Sequence, residues 1–268
     1  MRIVLTNDDG IDAPGLWALC EAVADLGEVH VVAPSRVQSA TSHAVTFHRP
    51  IRVCQPSNVP SREAICCAAH SVDGRPADCV KLAVQHLVGG PVDLVISGMN
   101  AGANVGLNVI YSGTVGAAME AAFMGIRSIA VSLHLRKLGD QQAVRWAEAA
   151  RHARDAIDRV LDGPTMPHTV MNINVPVLDD DPQPRGMKFV PVSRVPNADA
   201  YTVTADGEAG HHYEIRSSFS YDHHEPNTDV EALHERYVTL TPLHFDLTHR
   251  EHLAAWQRHV NDGAAAEV

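Results

Sequence analysis

Short, nearly continuous apolar runs alternate with longer stretches whose apolar residues recur every three or four positions. The first run, Arg2–Thr6, carries Ile3, Val4 and Leu5 without a polar break, the pattern of a strand buried on both faces. Pro14–Leu26 follows, with Leu16, Leu19, Cys20, Val23 and Ala24 at helical spacing, Pro14 near its start and Gly27 as its stop. Further strands are expected at Glu28–Ala33, Val92–Ser97, Ser128–Leu133 and Thr169–Val175, and further helices at Pro76–Leu87, Gly113–Met124 and Asp140–Leu161. A polar loop occupies Pro34–His43, and Val45–Val53 and Ala64–Val72 read as extended segments of a hairpin or flap. This rhythm predicts an α/β fold: a mostly parallel sheet, covered on both faces, with right-handed crossovers.

After Pro176 the texture changes. Asp179-Asp180-Asp181-Pro182 is a turn-rich break. Met187–Val195 and Tyr213–Phe219 read as strands with a polar loop between them, Tyr237–Thr241 as a short strand and His249–Val260 as a terminal helix. This part has no long apolar run of its own, so it is expected to pack on the preceding domain or on another subunit. The expected division is residues 1–177 and 178–268.

The chain has 268 residues and is 45% hydrophobic, enough for one large domain or a main domain with an appendage. Its 21 Lys and Arg stand against 32 Asp and Glu, a net charge of −11 that argues against nucleic-acid or acidic-membrane binding. Five cysteines, Cys20, Cys54, Cys66, Cys67 and Cys79, show no CxxC spacing, and buried apolar roles in a reducing cytoplasm are expected. Met1 and Arg2 lead directly into the first expected strand, and no signal peptide is expected. No apolar run approaches the ~18 residues needed to span a bilayer.

Candidate chemistry begins at Asn7-Asp8-Asp9-Gly10, where the first strand ends. Ligands of open α/β folds bind outside the carboxyl ends of the strands. Two adjacent carboxylates there repel each other, and a hard divalent cation resolves the repulsion. Gly10 permits the turn that both need to converge; a surface Asx-turn is the alternative. Ser97–Gly106 follows a predicted strand with three glycines and two asparagines, and Asn100 could offer a carbonyl oxygen to a metal. Its spacing is neither that of a P-loop nor that of a dinucleotide fingerprint. Tyr111-Ser112-Gly113-Thr114 precedes a helix and reads either as a cap or as a phosphate site. Ser39, in the loop after Ala33, could complete a coordination shell. Seventeen histidines include His211-His212 and His223-His224, which lack zinc-site spacing, and His234, a candidate acid or substrate contact. A serine hydrolase is disfavoured, since no GxSxG elbow is present.

Together, Thr6–Gly15, the Ser39 loop, Pro76–Val80, Ser97–Gly106, Tyr111–Val115, Asn172–Pro176 and Tyr237–Leu247 resemble the survival protein SurE family of 5′-nucleotidases, in the family's order over nearly the whole chain. The resemblance implies a Rossmann-like catalytic domain, three-layered, at 1–177. It implies a smaller β-rich and helical extension at 178–268 whose hairpin, swapped arm and terminal helix build homodimers or homotetramers. It further implies one divalent cation per subunit, Mg²⁺ or Mn²⁺, on Asp8, Asp9, Ser39 and Asn100. Asp8 and Asp9 then serve catalysis, and Asn104, Ser112, Gly113 and Thr114 line the phosphate pocket. The implied reaction is hydrolysis of nucleoside 5′-monophosphates. The alternatives are a phosphatase acting on polyphosphate or other small phosphomonoesters and a non-catalytic nucleotide-binding assembly module. The chain departs from the family's pattern at Ala40, where Gly is usual, at Glu120-Ala121-Ala122, where Glu-Gly-Arg is common, and at Arg236, where Gly is usual.

Overall fold

Ile3 and Leu5 point to one side of the first strand and Val4 to the other, and a separate core forms on each side. The computed structural model describes residues 1–56, 66–136, 144–164, 166–179, 181–196, 199–207, 210–217 and 225–265. In chain order these form β1 (Arg2–Thr6), α1 (Pro14–Val23, continued by a 3₁₀ turn at Ala24–Leu26), β2 (Glu28–Pro34), β3 (Val53–Cys54) and β4 (Ala68–Val72). Next come α2 (Pro76–Leu82, continued by a wider turn at Ala83–Leu87), β5 (Leu94–Ala101), α3 (Asn108–Tyr111), α4 (Gly113–Phe123) and β6 (Arg127–Leu133). The remainder is α5 (Trp146–Leu161), β7 (Thr169–Val175), β8 (Met187–Phe189), β9 (Asp199–Gly207), β10 (Gly210–Ser217), α6 (Asp229–His234), β11 (Val238–His244) and α7 (Arg250–Ala265).

Nine of these strands make one sheet in the order β3-β4-β2-β1-β5-β6-β7-β11-β8. The run from β4 to β7 is parallel throughout. β3 pairs antiparallel with β4 at one edge, and β11 pairs antiparallel with β7 toward the other. On one face α1 and α5 cover Ile3, Leu5, Ile96 and Ile173. On the other, α2 and α4 cover Val4, Val32 and Val95 with Cys79, Val80, Ala117 and Ala121. Three layers result, with β1 at the switch point: the chain leaves it toward β2 on one side and returns to its other side as β5.

Four expectations need correction. β5 does not stop at Ser97 but runs on, with a register break, to Ala101. Gly98 makes this possible: at φ +143° its bare Cα lies so close to β6 that a Cβ would stand 2.2 Å from Val131 O. The strand expected at Met187–Val195 ends at Phe189, and the polar loop expected after it contains β9, the antiparallel partner of β10. That hairpin is a separate two-stranded sheet with Tyr201, Val203 and Tyr213 exposed, so burial gave no signal for it. α6, where the expected pattern names no element, follows Thr228 with Val230, Ala232 and Leu233 buried. The expected start of the long helix at Asp140 lies outside the described residues, and α5 is described from Trp146.

Candidate metal centre at the carboxyl ends of the central strands

Beyond Thr6 the chain turns because Asn7 folds back on itself. Its Nδ2 donates to Gly10 O (2.9 Å), and Gly10 N–H donates to Asn7 Oδ1 (3.2 Å), with Gly10 at φ +97°. The turn brings Asp8 and Asp9 to one sheet end with different partners. Asp8 is buried against the start of α4: Thr114 Oγ1 donates to its Oδ1 (2.5 Å) and Thr114 N–H to its Oδ2 (3.0 Å). Gly113 has to be glycine for this approach, since a Cβ there would meet Asp8 Oδ2 at 2.9 Å. Asp9 reaches across to β5, where its Oδ2 accepts the Ala101 N–H (2.9 Å).

The extension of β5 sets Asn100 opposite Ser132 of β6, beside Asp9's partner Ala101. Asn100 Nδ2 donates to Gly102 O (2.6 Å), which leaves its carbonyl oxygen as the atom for a cation. Ser39 is exposed in the turn after β2. The turn is tied to the site one residue earlier, where Gln38 N–H donates to Asp8 O (2.7 Å), and Arg75 Nη1 donates to Gln38 Oε1 (2.6 Å). Ala40, the residue that replaces the family's usual Gly, adopts φ +55°.

Burial and the neighbouring Asp9 push the Asp8 carboxyl up to about 6, against the opposing hydrogen bonds from Thr114. Burial also raises Asp9, against its bond from Ala101. Among the described residues, neither forms an ion pair with Lys, Arg or His. An acidic pair left in this state suits a divalent cation, which would supply the missing positive charge. Among the described residues no three His, Cys, Asp or Glu side chains converge. The groups on hand at this end are two carboxylates and neutral oxygens, the kind of donors a hard divalent cation takes.

The four residues expected around the phosphate divide into two kinds. Ser112 caps α4, its Oγ accepting Val115 N–H (3.1 Å), so its own hydroxyl proton stays available to a ligand. Gly113 stands beside it. Thr114 instead gives both its donors to Asp8. Asn104 is buried and fastened: its N–H donates to Asn174 Oδ1 (2.8 Å), its Nδ2 to Ser132 Oγ (2.8 Å), and its carbonyl accepts Asn172 Nδ2 (2.8 Å) and Asn174 Nδ2 (3.1 Å).

Three further supports hold the site, none of them assigned a role by the sequence alone. Asn172 and Asn174 alternate with apolar Ile173 on β7, and two buried amides on one strand face were the available signal. Asp229, fully buried, accepts the Gly106 and Ser193 N–H groups (2.9 Å each) and so anchors the far end of the Gly-rich segment. Gln38 had no signal beyond its neighbour Ser39. His234 lies at the end of α6, its ring centroid 6.1 Å from that of His134. His211 and His212 are neighbours on β10, and His223-His224 lies outside the described residues.

Residues 3–198 match the family described as Survival protein SurE. The 5′-nucleotidase SurE of Desulforudis audaxviator (strain MP104C) is 41% identical over 262 residues, 96% of this chain and 97% of that protein. The 5′-nucleotidase SurE of Myxococcus xanthus (strain DK1622) is 40% identical over 275 residues, 98% of each. The crystal structure of the SurE protein from Aquifex aeolicus has a TM-score of 0.80 to this one at 33% identity, covering 95% of this chain and 98% of that chain. Fold and sequence agree, and the chain belongs to the SurE family.

Proposed function

We propose that the chain is a divalent-metal-dependent 5′-nucleotidase, hydrolysing nucleoside 5′-monophosphates to nucleoside and phosphate. The observation that carries this reading is Asp8 and Asp9 side by side at the switch point of the sheet, with no cationic side chain among the described residues paired to either. Relatives about 40% identical over nearly the whole chain are named 5′-nucleotidases, which supports the same reaction here.

Asp8, Asp9, Ser39 and the Asn100 carbonyl would hold the cation, Mg²⁺ or Mn²⁺, one per subunit. When bound, it supplies neutralisation of the phosphoryl charge and a more acidic water. Asp8 is held in place by Thr114 and Asp9 by Ala101, so both oxygens are oriented before substrate arrives. The Ser112 hydroxyl and the start of α4 at Gly113 face the remaining phosphate oxygens. Asn104 and Thr114 stand behind them as the wall of that pocket, through Ser132, Asn174 and Asp8.

The exposed Leu253, Trp256 and Val260 of α7, together with Leu247 before it, support a homo-oligomer, dimer or tetramer, assembled through residues 178–268. Five free cysteines support a cytoplasmic location. Among the described residues no helix is long and apolar enough to cross a membrane. The test is phosphate release from AMP by the purified protein with Mn²⁺ or Mg²⁺, repeated after EDTA. Asp8→Asn should lose activity by orders of magnitude, roughly 10²-fold or more. Equal turnover in Asp8→Asn and the parent chain would overturn the reading.

A further inference from the structure

Resting on the metal-site reading above, we propose that Glu120 of α4 is a positioning residue which, through His43, seats the loop carrying Ser39 beside the paired aspartates. Glu120 is a buried carboxylate on α4, on the side of the helix that also carries Ala117 and Ala121. A lone ionised group there would lose several kcal/mol of solvation. Lys81 of α2 answers that cost: its Nζ donates to Glu120 Oε1 at 2.7 Å, one positive charge against one negative. One charge then neutralises the other, and the second oxygen, Oε2, still asks for a donor. That donor comes from the Ser39 segment, as His43 Nε2 at 2.8 Å. His43 lies on the segment between β2 and β3, four residues after Ser39. Its ring also packs on Phe123, one turn after Glu120, with centroids 4.8 Å apart.

The rest of that segment lies against the end of α3 and the start of α4. Ser42 N–H donates to Tyr111 O (2.9 Å), and Ser42 Oγ to Ile110 O (2.7 Å). Gly116 gives the chain room, since a Cβ there would stand 2.6 Å from Ser42 O. Ala40 at φ +55° and Ser42 at φ +53° both adopt a left-handed conformation that side chains disfavour. Such a backbone persists only where its surroundings dictate it. The His43–Glu120 contact is one charged fastener of this segment, between Arg75–Gln38 on one side and Thr46–Asp78 on the other, and it is the one that ties Ser39 to the helix whose first turn holds Asp8.

The test uses the full chain and three substitutions, His43→Ala, His43→Gln and Lys81→Met. Two quantities are read: amide hydrogen exchange over residues 38–46 without metal, and Mn²⁺ affinity by titration followed by electron paramagnetic resonance. His43→Ala is expected to speed exchange in 38–46 and to weaken Mn²⁺ binding, each about tenfold, the effect of losing one charge-assisted hydrogen bond. Exchange within α4 stays as in the parent chain. His43→Gln, whose amide can still donate to Glu120, recovers most of both effects. Lys81→Met lowers stability while leaving both readouts near the parent values, because Lys81 does not touch the loop. Unchanged exchange or unchanged Mn²⁺ affinity in His43→Ala overturns the proposal, as does Lys81→Met reproducing both losses. A parent chain that binds no Mn²⁺ at all sinks the metal-site reading instead, and that result is told apart by the parent measurement alone.

Discussion

Thr114 gives two hydrogen bonds to a single carboxylate, from its hydroxyl to Asp8 Oδ1 and from its backbone N–H to Asp8 Oδ2. The first turn of α4 thereby turns its N–H groups and its positive dipole end toward the most buried acid of the site. Thr114→Val keeps the volume and the backbone bond and deletes the hydroxyl. Both bonds favour the charged carboxylate, so removing one moves Asp8 above its present value of about 6. Metal affinity should fall, about twofold at pH 7 and approaching tenfold near pH 5, since protons and cation compete for the same oxygens. Isothermal titration with Mn²⁺ at two pH values checks this. The deficit should shrink at higher pH, where Asp8 is ionised in both proteins.

The raised Asp8 also predicts a pH dependence of stability in the metal-free chain. Unfolded, the group titrates near 3.8; folded, near 6. Between these values the folded state holds a proton that the unfolded state has released, so stability falls as pH rises from about 4 to about 6. The distance is worth about 3 kcal/mol, and the penalty persists above it. His134 acts in the opposite sense. Burial and the nearby His234 hold it down to about 4, so its neutral folded form gains stability as pH rises toward 6.5. The difference between the parent and Asp8→Asn profiles therefore isolates Asp8. In EDTA, Asp8→Asn should be more stable than the parent at neutral pH by roughly 1–3 kcal/mol, and this advantage should vanish near pH 4. Urea denaturation across the range measures both.

The place of the acidic pair was legible because an unbroken apolar run ends in two carboxylates, and open α/β folds bind ligands beyond the carboxyl ends of such strands. The segment around Asn100 was legible as part of the proposed site but not as a strand. Its glycines suggested a loop, whereas Gly98 serves a bulged continuation of β5 against Val131. The role of Thr114 could not be read, because its partner Asp8 lies 106 residues away and a cap looks the same in sequence whatever it faces. Asn172 and Asn174 were seen as part of a motif, but their bonds to Asn104 exist only once β7 and the Gly-rich segment meet. The β9–β10 hairpin has little buried surface, so the periodicity that reports on burial was missing there.

Ala40 offers a direct test of strain beside the site. It holds φ +55°, where glycine carries no Cβ penalty. Ala40→Gly should stabilise the chain by about 0.5–1 kcal/mol, after the greater entropy of unfolded glycine is offset. That corresponds to a rise in Tm of about 1–4 °C for a chain of this size. Gly98→Ala is the opposite case, with φ +143° and a Cβ 2.2 Å from Val131 O. It should destabilise by about 3 kcal/mol or more and displace Asn100. Calorimetric scans of the two variants should move in opposite directions.

The buried amides behind the site make the last prediction. Asn174 Oδ1 accepts Asn104 N–H, and Asn174 Nδ2 donates to Asn104 O, so one side chain satisfies both backbone groups of a buried residue. Asn174→Ala leaves the Asn104 N–H without its acceptor, while Asn172 Nδ2 still serves the carbonyl (2.8 Å). The loss should be about 2–3 kcal/mol, more than an exposed hydrogen bond would give, because a buried donor is orphaned. Asn172→Ala removes only one of two donors to a carbonyl and should cost about 1 kcal/mol. If the network positions the Gly-rich segment for phosphate, Asn174→Ala should also raise KM for AMP more than it lowers kcat, whereas Asn172→Ala should leave both near the parent values. Equal stability losses in the two variants would mean that the donors, not the orphaned N–H, set the energetics of this wall.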